Sequence, residues 1–589
     1  MKKFYILPII TMALVSFSAM AQTSSAWKEK VDPVVLKKAE TATTLEYVAI
    51  LKQQADVSAA DKLETKEQKG QFVFNALKAA AEHSQGEALS LLSKTTASYQ
   101  AFWVVNMITI TSDVATLQAI AELASIDKII ENGKFVVSKT AVTADILPEK
   151  EAKSNAVLAN GTWGVKKTKA DQVWSTLNVT GKGVVIAGED TGYDWKHPAI
   201  KPKYRGWNGS SADHNYNWHD AVHATGSSCG KESPEPCDDH GHGTHTAGTM
   251  VGGTSNDGYD IGMAPDAKWI GCRNMNAGVG TLTTYIECME FFLAPTDLND
   301  NNPDASKAPH VINNSWGCPT DEGCNSSNFG TMENVVNNLR SAGVVMVVSA
   351  GNDGPSCSTI NTPAPIFTGS FTVGATDSND AIANFSSRGP VTNYGPSHMS
   401  PDISAPGVSV YSAWPGNNYK SENGTSMAGP HVAGLVGLII SANPQLAGKV
   451  STIEDIIQST AVKLYSSACG STSNTVPNNT FGYGRIDALA AVTKALNMVS
   501  VSENEKNAAS VNAFPNPFTN TISFEMKNWN AGTTLEIYSI TGSIIFSKTW
   551  EAAPSKYQVE LTNQAAGVYF YKISNDTQNA NGKLFKVNN

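Results

Sequence analysis

A chain of 589 residues is too long for one hydrophobic core, so several domains are expected. The formal net charge of -10 excludes the excess of Lys and Arg that a nucleic-acid partner needs, and soluble substrates fit better. The chain begins with Lys2 and Lys3, an apolar stretch over residues 4–15, and Ala19-Met20-Ala21 before Gln22. That pattern predicts an export signal over residues 1–21. A retained anchor is the alternative, but the stretch is short for a membrane span.

Residues 22–156 mix both kinds of periodicity, with strands expected at 47–51 and 102–105 and a helix at 72–81, which gives a small α+β domain. The Lys-, Glu- and Ala-rich stretch 149–159 has no apolar periodicity and reads as an exposed, cleavable linker. Across 157–498, apolar runs at 184–187, 269–270, 311–312 and 344–348 alternate with helical patterns, which predicts an α/β domain with a parallel sheet covered on both faces. Residues 499–510 turn polar and read as a second linker. From 511 to 589 short strands alternate with turns such as Asn530-Ala531-Gly532 and Thr541-Gly542-Ser543, and a small β-sandwich is expected.

Eight cysteines in an exported chain favour disulfides. About 105 pairings are open to them. Close spacing favours Cys229 with Cys237 and Cys318 with Cys324, leaving Cys272 with Cys288 and Cys357 with Cys469.

Three stretches carry chemistry: Asp190-Thr191-Gly192, His240-Gly241-His242-Gly243-Thr244-His245, and Gly424-Thr425-Ser426-Met427-Ala428-Gly429-Pro430-His431. A serine nucleophile needs an imidazole to take its proton and a carboxylate to fix the imidazole's tautomer, and all three types are present. Asp190 directly follows an apolar strand, at the carboxyl edge where parallel sheets place their sites. His242 opens a helix of small residues. Ser426 opens an apolar helix over residues 427–440, with Pro430 expected in its first turn. Taken singly, Asp190 reads as a turn-former and Ser426 as a helix cap. A second possibility is a metal site made from His240, His242 and His245 with Asp238 and Asp239. His245 and His431 read as packed structural residues.

In the order Asp, His, Ser, these stretches resemble the signature of the subtilisin-like serine peptidases. Gly262-Met263-Ala264-Pro265, Asn313-Asn314-Ser315-Trp316-Gly317, Ser349-Ala350-Gly351-Asn352 and Ser404-Ala405-Pro406-Gly407 extend the resemblance. Tyr204-Arg205-Gly206-Trp207 and Asn217-Trp218-His219-Asp220-Ala221 are similar to a bacillopeptidase-F-like branch. The resemblance implies Asp190, His242 and Ser426 as catalytic triad, with Asn352 and the Ser426 N–H as oxyanion donors. It implies Ser315, Trp316, Gly317, Ser349, Ala350 and Gly351 as walls for a protein or peptide substrate, no metal or other cofactor in catalysis, and structural calcium in some members. No ligand loop in this sequence compels calcium. Glu189 departs from the pattern, which usually has an apolar residue there; strand alternation points it away from the triad.

The N-terminal domain is similar to subtilase propeptides, which assist folding and inhibit, so a zymogen is implied; an independent binding domain is the alternative. Phe514-Pro515-Asn516-Pro517-Phe518, Gly567-Val568-Tyr569-Phe570-Tyr571-Lys572 and the final Lys583-Leu584-Phe585-Lys586-Val587 resemble a type IX secretion sorting domain. That resemblance implies an outer-membrane export machine as partner and secretion through the periplasm. A substrate-binding module is the alternative there, and a non-catalytic scaffold is the alternative for the whole.

Overall fold

The structure is a computed structural model that describes residues 26–137, 161–317, 325–472, 474–498, 510–527, 529, 532–576 and 578–588. The expected signal at 1–21, the linker at 149–159, all but the last residue of the linker at 499–510, and the Cys318–Cys324 pair lie outside them.

The N-terminal unit is a β-α-β-β-α-β arrangement: strands Leu45–Leu51 (β1), Ser98–Phe102 (β2), Met107–Ser112 (β3) and Ile126–Ile130 (β4) with helices Lys66–Ser84 (α1) and Val114–Glu122 (α2). The sheet is antiparallel in the order β2-β3-β1-β4. Helix α1 begins with a reciprocal cap in which Thr65 and Gln68 bond each other's backbone, and α2 begins on the Asp113 carboxylate. The strand expected at 102–105 ends at Phe102. Trp103 and Val104 turn toward β3 because their N–H groups donate to the Glu290 carboxylate, at 2.6 and 2.8 Å, instead of to a neighbouring strand.

Val48, Ile50, Val73, Leu77 and Phe102 of this unit are buried in one cluster with Tyr285, Phe292, Met332 and Leu339 of the next domain. Tyr47, Ala49, Leu117 and Ile120 form a separate core. Alternation along β1 therefore sends one face outward to a partner domain and the other to the unit's own helices.

After Lys134–Val137 (β5), the large domain contributes Val185–Asp190 (β6), Trp218–Asp220 (β7), Lys268–Arg273 (β8), Met275–Asn276 (β9), Val279–Thr281 (β10), Val311–Asn314 (β11), Trp316–Gly317 (β12), Val345–Ser349 (β13), Phe371–Thr376 (β14) and Ile403–Pro406 (β15). Seven of these form one parallel sheet in the order β15-β14-β13-β11-β6-β8-β7. Strand β13 is buried at all five positions, as a strand covered on both faces must be. Ile186 joins the core formed with Met250 and Val436, whereas Ala187 joins the one with Phe292 and Met332. Helices His242–Val251 (α3) and Thr425–Ala442 (α6) thus cover one face, and Leu282–Leu293 (α4) and Ser326–Ser341 (α5) the other.

Disulfides join Cys229 to Cys237, Cys272 to Cys288 and Cys357 to Cys469. The C-terminal segment forms two antiparallel sheets: Ser510–Phe514, Thr521–Lys527 and Lys556–Glu560 in one, and Ile544–Trp550, Thr533–Tyr538, Gly567–Ser574 and Asn579–Lys586 in the other. Their alternating apolar residues, among them Ile522, Phe524, Leu535, Ile537, Ile573 and Leu584, meet in one core, the β-sandwich expected from sequence.

Candidate active site

Asp190 ends β6 at the carboxyl edge of the sheet. Its Oδ1 accepts the Thr191 N–H at 2.8 Å and bonds His242 Nδ1 at 2.7 Å, and both side chains are 2% exposed. His242 is the first residue of α3. The turn before it is fixed by Asp238, which accepts N–H bonds from His240, Gly241 and Thr244 and a hydroxyl bond from Thr191. Behind that turn the fully buried Arg273 grips Asp220 with two bonds of 2.9 and 2.8 Å and Asp239 with a third of 3.0 Å. Such a fork holds two chain segments in one geometry. Burial alone would lower the His242 imidazole, but the charge and hydrogen bond of Asp190 outweigh it, and the group lies above its ordinary value.

Ser426 is the second residue of α6, not a residue ahead of it. Pro430 accordingly falls on the second turn, and the expectation that it sits in the first is corrected. A proline there leaves the carbonyl four residues back without its helical donor. That carbonyl belongs to Ser426, and it accepts the Ser315 hydroxyl at 3.3 Å. In return the Ser426 hydroxyl donates to the Ser315 carbonyl at 3.3 Å. His242 Nε2 is buried with no hydrogen-bond partner, so a Ser426–His242 bond is not made in this resting arrangement. Strand pairing brings their bonded neighbours, Ser315 and Asp190, close. Asn314 of β11 pairs with Glu189 of β6, so Ser315 and Asp190 lie on adjacent strand ends, about 5 Å apart in the sheet.

Asn352 follows β13 by three residues. Its Oδ1 accepts the Thr425 N–H at 2.9 Å and the Thr425 hydroxyl at 3.0 Å, which turns its Nδ2 toward Gly424 beside the start of α6. A Cβ on Gly424 would stand 3.4 Å from that nitrogen. The N–H of Ser426, in the first turn of α6, has no intrahelical acceptor. That nitrogen and the Ser426 nitrogen, 3.5 Å from the same Cβ position, thus both lie near Gly424 at the positive end of a helix.

Strand β5, which closes the N-terminal unit, lies between β10 and β12, antiparallel to both: Val136 pairs with Val279 and with Gly317, and Val137 with Trp316. Trp316 and Gly317, expected as substrate walls, thus do bond an extended segment. Ser315 lies one residue before them, against Ser426. Ser349 touches Ser315 at 3.4 Å, Ala350 donates to Val373, and Gly351 donates to the Thr425 hydroxyl. Val279–Thr281, on the other side of β5, was not singled out from sequence. Its signal was Gly280 ahead of the reciprocal cap of Thr281 and Thr284: a Cβ at Gly280 would lie 2.4 Å from the Asn274 carbonyl, and only a bare backbone fits.

His245 bonds the Val410 and Lys420 carbonyls through Nε2, and His431 bonds the Met427 carbonyl; burial pushes both down to about 4, as packed neutral imidazoles. Among the described residues no group of three or more His, Cys, Asp or Glu is arranged to hold a metal ion. Glu189 faces the α4 side, away from His242, and its Oε1 accepts the Trp316 indole N–H at 3.0 Å. Burial raises its carboxyl well above the usual range, and Asp190 adds to the effect.

With this arrangement in view, residues 181–484 match the Subtilase family, and the chain belongs to it. Residues 512–587 match the secretion system C-terminal sorting domain, which points to export. Among curated relatives, bacillopeptidase F of Bacillus subtilis (strain 168) is 34% identical over 519 residues, 84% of this chain but only 33% of that protein's length. Subtilisin BL of Lederbergia lenta is 32% identical over 330 residues, 56% of this chain and 97% of its own. An alkaline protease of Alkalihalobacillus alcalophilus is 31% identical over 344 residues, 58% of this chain and 73% of its own. Catalysis in this family needs no cofactor.

Proposed function

We propose that the chain is a secreted serine endopeptidase made as a zymogen. Ser426 attacks the peptide carbonyl, His242 takes the proton and returns it to the leaving amine, Asp190 orients His242, and Asn352 with the Ser426 N–H binds the oxyanion. The observation that carries this reading is the buried His242–Asp190 bond of 2.7 Å with Ser426 tied to the adjacent strand end. Rotation of the Ser426 hydroxyl off a long bond re-aims it at the unpaired Nε2. A fluorophosphonate probe added to the processed enzyme should label Ser426 and no other residue, as read by peptide mass spectrometry; label elsewhere, or none, would overturn the assignment. Because His242 must be neutral to act as base, kcat/KM should fall in acid with a midpoint above 6.5, the ordinary histidine value, and Asp190→Asn should move that midpoint down. A midpoint unmoved in the variant would separate His242 from the rate.

The N-terminal residues 22–156 act in this reading as inhibitory propeptide. Support comes from β5, which occupies the groove an extended substrate would use and runs toward Ser426. The cut falls between residues 149 and 161. In the docked state burial, against the bonds from Val104 and Trp103, raises Glu290 to about 7, so the docked form binds a proton more readily than the free enzyme. Docking therefore strengthens as pH falls below about 7 and weakens as pH rises through it. Lys66, buried in the same interface and lowered to about 8, opposes docking, and that cost falls only as pH rises above that value. Inhibition by the N-terminal unit added in trans should tighten by about 100-fold between pH 7 and the ordinary glutamate range. Glu290→Gln should flatten the acid side; an unchanged slope would remove Glu290 from control.

The C-terminal residues 511–589 serve as the address read by a type IX outer-membrane machine, and residues 1–21 as the signal for the first membrane.

A further inference from the structure

The groove between β10 and β12 has a support that the triad does not use. Glu189 is fully buried on β6, one position before Asp190 and on the opposite face of the sheet. A carboxyl in that place is costly unless it does something an apolar side chain cannot. What it does is accept the N–H of the Trp316 indole at 3.0 Å. That indole is only 1% exposed, and a buried indole N–H without an acceptor would destabilise the position it occupies. The Trp316 ring in turn meets the Tyr285 ring edge-on, with centroids 4.2 Å apart. Tyr285 backs the other wall: a Cβ on Gly280 of β10 would lie 2.6 Å from its ring. One chain of contacts thus runs from Glu189 through Trp316 and Tyr285 to Gly280, and it reaches both strands that bracket Phe135–Val137.

We propose that Glu189 is a positioning residue for substrate binding, which sets the separation and register of the two groove walls by anchoring the Trp316 indole. It touches neither substrate nor the reacting atoms. The inference rests on reading Trp316 and Gly317 as a substrate-pairing strand. Because the anchor is a hydrogen bond to an acceptor oxygen, an amide oxygen can replace the carboxyl, whereas a hydrocarbon cannot. Its effect falls on peptides long enough to pair with the walls and spares short ones.

The test compares a blocked tetrapeptide p-nitroanilide with a blocked single-residue p-nitrophenyl ester carrying the same residue at the scissile bond. Processed wild-type enzyme, Glu189→Leu, Glu189→Gln and Trp316→Phe are used, each titrated at Ser426 with a fluorophosphonate. Glu189→Leu should raise KM for the tetrapeptide about tenfold, the size of one lost buried hydrogen bond, with kcat and ester turnover within about twofold. Glu189→Gln should stay within about twofold of wild type on both substrates. Trp316→Phe, which removes only the donor and part of the ring, should reproduce the loss, and the double variant with Glu189→Leu should be no worse than either alone. Should Glu189→Leu fail to fold, Trp316→Phe and Glu189→Gln decide alone. An unchanged tetrapeptide KM in folded Trp316→Phe, an equal kcat loss on both substrates, or independent additive losses would overturn the role of Glu189. A wild-type enzyme that gains no affinity with peptide length would overturn the groove assignment itself, and the proposal with it.

Discussion

Ser426→Ala is expected to lower kcat for a protein substrate by about 10^6-fold, the size that loss of the nucleophile has in subtilisin. The structural cost should be small. The hydroxyl makes a single long bond, to the Ser315 carbonyl at 3.3 Å, and the return bond from Ser315 goes to the Ser426 carbonyl, which alanine keeps. Loss of activity with an unshifted unfolding temperature is thus the expected pair of results, read from a peptide assay and from calorimetry. On the proposed zymogen reading the full-length variant should also accumulate uncut, since residues 149–161 would no longer meet a working serine. A Ser426→Ala enzyme that matured and digested protein at the wild-type rate would end the triad assignment, and a variant that lost activity only by unfolding would leave Ser426 as a structural residue.

Asn352→Ala should lower kcat by about 10^2 to 10^3-fold with little change in KM, the mark of a group that meets charge only in the transition state; the range is again that of subtilisin. Here the local packing sharpens the expectation. Thr425 holds the Asn352 carbonyl oxygen with two bonds, so the amide nitrogen is aimed before substrate arrives and no reorganisation is needed during reaction. Asn352→Asp, similar in shape but with an acceptor where the donor stood, should lose at least as much. Equal changes in kcat and KM for the alanine variant would mean that Asn352 binds ground-state substrate and not the oxyanion.

Much of the fold was legible because its signals are local. The fully buried β13 reads as an uninterrupted apolar run, and the carboxyl-edge position of Asp190 follows from the residues before it. Features that depend on distant partners were not legible. Trp103 looks like a strand residue until Glu290, 187 positions away, takes its N–H. Pro430 looks like a first-turn proline until the Ser315 hydroxyl is found on the orphaned carbonyl, 111 positions away. Alternation did orient Glu189 away from His242, but not toward Trp316. The wall Val279–Thr281 has too few residues to show a period, and its role depends on β5, which arrives from another domain.

The Cys357–Cys469 bridge spans 112 residues, and Ser426 lies inside the loop it closes, while Asp190 and His242 lie before it. A protease shed among copies of itself is exposed to autolysis. A nick anywhere between positions 357 and 426 would leave the fragment that carries Ser426 covalently fastened to the half that carries Asp190 and His242, so one such cut need not disperse the proposed triad. Reduction of that bridge should convert an otherwise silent scission into rapid inactivation.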